Sequence, residues 1–67
     1  MAYFTVPIKG DRDQGAGLLA LNGIQNLVGE DGGLVARLAA PDEGKARLRV
    51  VASLNGDFEV GDAEQED

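Results

Sequence analysis

Ala2, Phe4, Val6 and Ile8 alternate with Tyr3, Thr5, Pro7 and Lys9, a period of two that predicts a half-buried strand over residues 2–9. Pro7 cannot donate to a neighbouring strand, so an edge position is expected. Gly10-Asp11-Arg12-Asp13-Gln14-Gly15 reads as a polar loop. Residues 16–28 admit two readings. Ala16, Leu19, Ala20, Gly23, Ile24 and Leu27 fit a helical stripe, with Asp13 as N-cap and Gly29 as C-cap. Against it, Gly17 and Gly23 would each weaken such a helix by about 1 kcal/mol relative to alanine. Asn22-Gly23 between apolar residues is also a strong hairpin signal. Two short strands, Leu18–Leu21 and Ile24–Val28, are therefore preferred to the helix.

Alternation returns at Leu34, Ala36, Leu38 and Ala40, and again at Ala46, Leu48, Val50 and Ala52. Asp42-Glu43-Gly44 between the two runs suits a hairpin turn with Gly44 in the left-handed region. That register sets Ala40 opposite Ala46, Leu38 opposite Leu48 and Ala36 opposite Val50. Asn55-Gly56 then reverses the chain into Asp57-Phe58-Glu59-Val60, whose Phe58 and Val60 fall on the face of Val51, opposite Leu48 and Val50. Both faces of the expected sheet thus carry apolar side chains. The pattern predicts a mainly β fold, a small antiparallel meander or partly open barrel of about five short strands. The alternative is α+β, with a helix at 16–28 packed on a sheet of about three or four strands. Residues 1–60 form the expected β domain and residues 61–67 an acidic tail, solvated unless a partner binds it.

Charge sharpens this division. The 67 residues hold twelve acids and six bases, a net charge of −6. Residues 1–56 are balanced, so the excess belongs to Asp57, Glu59, Asp62, Glu64, Glu66 and Asp67. An acidic end aids solubility or engages a basic partner. A chain this short buries only about 60% of its unfolded surface, so a staple or partner is expected. With no Cys and no His, disulfides and the common zinc sites are excluded, leaving another subunit as the expected supplement. No signal-peptide pattern and no apolar run of about 20 residues is present, so neither secretion nor a membrane span is expected.

Candidate chemistry is sparse. Ser53 and Thr5 have no histidine to activate them, which removes nucleophilic triads. The carboxylate pairs Asp11/Asp13, Glu30/Asp31 and Asp42/Glu43 all fall in expected loops, where carboxylates form solvated turns. Asp11-Arg12-Asp13 starts like a calcium loop, but Ala16 and Asn22 stand where that loop needs glycine and glutamate. Gly15-Ala16-Gly17 lacks the Lys-Ser/Thr that a phosphate loop requires. No enzyme activity, cofactor or metal is expected.

Arg37, Lys45, Arg47 and Arg49 line one face of the expected hairpin, with Arg37 opposite Arg49, a mildly destabilising juxtaposition. They read either as an exposed basic face whose long side chains snorkel to solvent or as a stripe that an anionic group neutralises. Nucleic acid fits poorly, because the chain is acidic and its only aromatics are Tyr3, Phe4 and Phe58. The acidic end fits better, within a subunit or across to a neighbour. The candidate partner-binding residues are Arg37, Lys45, Arg47, Arg49, Val35, Val51, Phe58, Val60, Asp62, Glu64, Glu66 and Asp67.

The layout Tyr3-Phe4-Thr5-Val6-Pro7-Ile8, then Leu18 to Ile24, then two strands around Pro41–Gly44, resembles small β-rich accessory proteins encoded among tailed-bacteriophage structural genes. The resemblance spans residues 3–53 and implies a virion component: a capsid cement or decoration subunit, or a tail- or portal-associated part. It transfers no catalytic residue. The expected function is a non-enzymatic structural subunit, a homo-oligomer located in the virion or the cytoplasm. One alternative is an acidic DNA mimic that inhibits a nucleic-acid enzyme. Another is a bacterial adaptor that binds one protein partner.

Overall fold

In the computed structural model, which describes residues 1–66, the first strand forms where alternation places it. Strand β1 spans Ala2–Lys9 and buries Phe4, Val6 and Ile8. It is followed by α1 (Arg12–Leu21), β2 (Gln25–Val28), β3 (Leu34–Ala40), α2 (Glu43–Ser53), β4 (Glu59–Val60) and β5 (Glu64–Gln65). The five strands form one antiparallel, unclosed sheet in the order β2-β3-β1-β4, with β5 also on β1. Both helices pack on the same side, where Leu19, Ala46 and Val50 join Phe4, Val6, Ile8, Leu34, Ala36 and Leu38 in one core. The antiparallel, open sheet agrees with the expected fold class, and the two helices give it the α+β form. Its element order, with β1 between β3 and β4, follows ferredoxin-like connectivity.

Helix α1 replaces the preferred hairpin of Leu18–Leu21 and Ile24–Val28, and it starts earlier than the alternative helix at 16–28. Its N-cap is Asp11, not Asp13: the Asp11 carboxylate accepts from the Gln14 N–H at 3.0 Å. Gly15 is tolerated mid-helix because the helix presses close to the sheet there. A β-carbon on it would lie 2.6 Å from Leu34 Cδ2. Asn22-Gly23 ends the helix instead of turning a hairpin. The Ile24 N–H donates to Leu19 O at 2.9 Å and the Gly23 N–H to Ala20 O at 3.1 Å, with Gly23 at φ +71°. This is a Schellman stop, and Leu19 and Ile24, the two positions whose apolar side chains usually close one, are both buried in the core.

The expected strand over Lys45–Ser53 is likewise corrected to a helix, α2. The Asp42 carboxylate caps it by accepting from the Lys45 N–H at 2.8 Å. Good helix formers follow, and the core takes Ala46, Val50 and Leu54, spaced four apart. Leu48, expected to pair with Leu38 inside, is instead 67% exposed. Asp42→Ala should destabilise the fold by about 1 kcal/mol. Thermal unfolding followed at a helical circular-dichroism band should then shift down by about 4–8 °C.

Pro7 does not lie on an edge strand. Strand β1 sits between β3 on one side and β4 with β5 on the other. The edge position expected from the missing N–H is met differently. The Gly61 N–H donates to Pro7 O at 2.9 Å, so the main-chain polar side of Pro7 faces the β4–β5 segment. There that segment is interrupted. Val60 pairs with Ile8, whereas Glu64 pairs with Thr5, which is one residue more than an unbroken ladder would hold. The extra residue is a β-bulge, placed where β1 has no proton to donate. The bulge also sets which side chains turn inward: Ala63 is buried and Asp62 exposed. The solvated tail expected from residue 61 onward is therefore corrected, because residues up to Glu66 complete the sheet; Asp67 lies outside the described residues.

Candidate protein-interaction surfaces

The sheet face away from the helices carries Tyr3, Thr5, Pro7 and Lys9 from β1, Val35, Arg37 and Ala39 from β3, and Gln25 and Leu27 from β2. At its centre the Arg37 guanidinium donates from Nε and Nη2 to the two carboxylate oxygens of Glu66, and from Nη1 to Gln25 Oε1 at 3.1 Å. It lies over the Tyr3 ring, 4.1 Å from the centroid. The bond to Glu66 raises the already high pKa of Arg37, opposed by partial desolvation, so this cation stays charged at every working pH. Exposed pairs of this kind contribute little to stability, so its work is to hold the C-terminal segment on β1. Arg47 holds the same segment from the helix side, with Nη2 donating to Val60 O at 3.1 Å and Nε to Gly61 O at 3.2 Å.

The single basic stripe is thereby corrected. Arg37 lies on the open sheet face, and Lys45, Arg47 and Arg49 lie on α2, across the sheet from it. The cause is the helical conformation of residues 43–53, which ends the cross-strand pairing of Arg37 with Arg49. Val35 is half-buried beside Arg37, and Val51 is exposed on α2. Phe58 and Val60 are not free docking groups, since both pack partly buried against the core, Phe58 over Gly10 and Gly15. Asp62 and Glu64 are exposed, and Glu66 is on Arg37.

The carboxylate pairs Asp11/Asp13, Glu30/Asp31 and Asp42/Glu43 are all exposed. Asp11 and Asp42 cap helices, and Asp31 Oδ1 accepts from the Gly33 N–H at 2.9 Å. Ser53 Oγ donates to the Arg49 carbonyl one turn earlier at 2.8 Å. No cluster of three metal-ligating side chains occurs among the described residues.

Sequence reasoning missed one feature. Beside α2 lies an apolar cleft of about 310 Å³, walled by Met1, Pro41, Leu48 and Ala52, with Lys45 and Arg49 on its rim. Neither rim cation has an ion-pair partner among the described residues. Leu48 spaced three and four residues from Lys45 and Ala52 is the signal that a helical reading of this segment would have found. No helix among the described residues is long and apolar enough to cross a membrane. No family model, curated protein or solved structure matches this chain.

Proposed function

We propose that this chain is a non-enzymatic structural subunit of a larger protein assembly, such as a capsid decoration or tail- or portal-associated component of a bacteriophage particle. One observation carries the reading. Seven large apolar side chains are exposed among the described residues of a very small fold, including Leu21 at 84%, Leu48 at 67% and Val28 at 67%. Apolar residues scattered singly need no explanation, but Leu27 and Val28 adjoin on β2 and Met1 and Leu48 share the α2 cleft, as docking residues do. The test is where the protein resides: in a lysate of its source, an antibody should find it in a high-mass particle that survives a density gradient. Recovery solely as a free small species overturns the reading.

The inhibitor reading has one observation in its favour. Asp11 and Asp13 at the start of α1, Glu30 and Asp31 after β2, and Asp57 and Glu59 at the start of β4 lie at the same end of the sheet, near the Lys9 end of β1. Lys9 and Arg12 interrupt that surface, and the Arg12 guanidinium donates to Gly32 O at 3.0 Å. Carboxylates so interleaved imitate a phosphate backbone poorly, and the subunit reading is preferred.

A further inference from the structure

Resting on the subunit reading, we propose that copies of this chain associate head to tail: Val28 and Glu30 of one copy dock against the α2 cleft of the next. The exposed apolar side chains divide into two sets. Val28, at 67% exposure, lies on the helix-side face of strand β2 and Leu27 on its open face, and Leu48 and Met1 lie at the cleft. Each set is flanked by charge of opposite sign, Glu30 and Asp31 after β2 and Lys45 and Arg49 at the cleft. Asp31 is engaged by the Gly33 N–H, which leaves Glu30 as the acid available to a neighbour.

Charge selects the occupant. The chain has a net charge of −6, so two copies repel one another over most of their surface. A contact between like copies is favourable where it meets the unpaired cations of α2 with an acid. A two-fold contact of cleft on cleft would bring Lys45 and Arg49 against their own kind. The β2 edge offers the rival contact, since a bare edge templates strand pairing and not docking in a helix-side cleft. Its residues Gln25-Asn26-Leu27-Val28 contain no charge and no proline, and all four are exposed. The opposite edge is broken by a bulge and carries Glu59 and Glu64. One edge is thus guarded against pairing and the other is bare. At about 310 Å³ the cleft is near the small end of binding cavities, roughly 300–1,000 Å³, with room for an aliphatic side chain such as Val28. A contact between two different patches does not close on itself, so it builds a ring or a filament.

Sedimentation velocity on the purified full chain and its variants tests this. Leu48→Asp blocks the cleft and leaves the edge; Leu27→Asp with Val28→Asp blocks the edge and leaves the cleft. Each variant alone should be monomeric, and an equimolar mixture should form a 1:1 heterodimer that grows no further. Circular dichroism checks that both are folded. Milder variants guard against misfolding. Glu30→Lys alone, or Lys45→Glu with Arg49→Glu alone, should weaken association by about tenfold at low salt, and mixing the two should restore it. Loss on the edge substitution with the cleft variant still associating would show a two-fold β2 contact and overturn the proposal. Loss on the cleft substitution alone would do the same. A wild-type chain that is monomeric when purified, yet present in a high-mass particle, would overturn the head-to-tail contact and leave the subunit reading standing.

Discussion

Leu19→Ala should remove most of the stability of this fold, roughly 2–5 kcal/mol by the usual range for a buried leucine truncated in a core. A chain of this length has only about 3–10 kcal/mol in total. Leu19 is fully buried, and it serves two structures at once. Its side chain fills the layer between α1 and the sheet, and its carbonyl accepts the Ile24 N–H of the helix stop. Truncation leaves that hydrogen bond intact but removes the buried apolar side chain that belongs to such a stop. Urea unfolding should show a midpoint shifted far down, or no folded baseline. Leu21→Ala, two positions along the same helix and 84% exposed, should be close to neutral. Equal effects of the two would mean that α1 does not pack as described.

Ala63→Glu should detach the C-terminal segment. Ala63 faces the core beside the fully buried Val6, and the nearby Arg47 guanidinium is already donating to the Val60 and Gly61 carbonyls, so a carboxylate placed there meets a packed apolar layer. The charge will not stay buried. The segment will leave the sheet, taking with it the Glu66 N–H bond to Tyr3 O and the Arg37–Glu66 pair. The expected loss is about 1–3 kcal/mol, and amide exchange should accelerate at Gly61 and Glu66 first. Asp62→Ala, one residue earlier and exposed, should leave stability within about 0.5 kcal/mol of wild type. If instead both changes were silent, the bulge would not set the phase of this strand.

These outcomes also mark what was legible in the sequence. Strands β1 and β3 could be read because each buries one face, and period-two alternation is what a half-buried strand imposes. Residues 45–53 deceived because Ala46, Leu48, Val50 and Ala52 alternate while Ala46, Val50 and Leu54 also recur every four. The deciding signals were local: an Asp42 cap and a run of strong helix formers. Asn22-Gly23 deceived for a related reason. The same left-handed glycine serves a hairpin turn or a helix stop, and only the burial of Leu19 with Ile24 selects the second. Strand β5 was not legible at all, since its register depends on a proline far away in the chain. Of the interaction surfaces, the basic residues were legible by type and not by place. Arg37 and Arg47 turn out to be anchors for the chain's own end, and the cleft beside Leu48 exists only once α2 is a helix.

The position of β1 decides the order in which the molecule can assemble itself. Its two flanks are filled by segments remote in the chain, β3 on one side and the last described residues on the other, so nothing nearby in sequence can shelter it. Contacts so distant form late and slowly compared with helical turns. Until Ala63 arrives, that flank of β1 is open. During that interval the C-terminal segment of a second nascent molecule could fill the gap as well as its own, and crowded synthesis would favour entangled pairs.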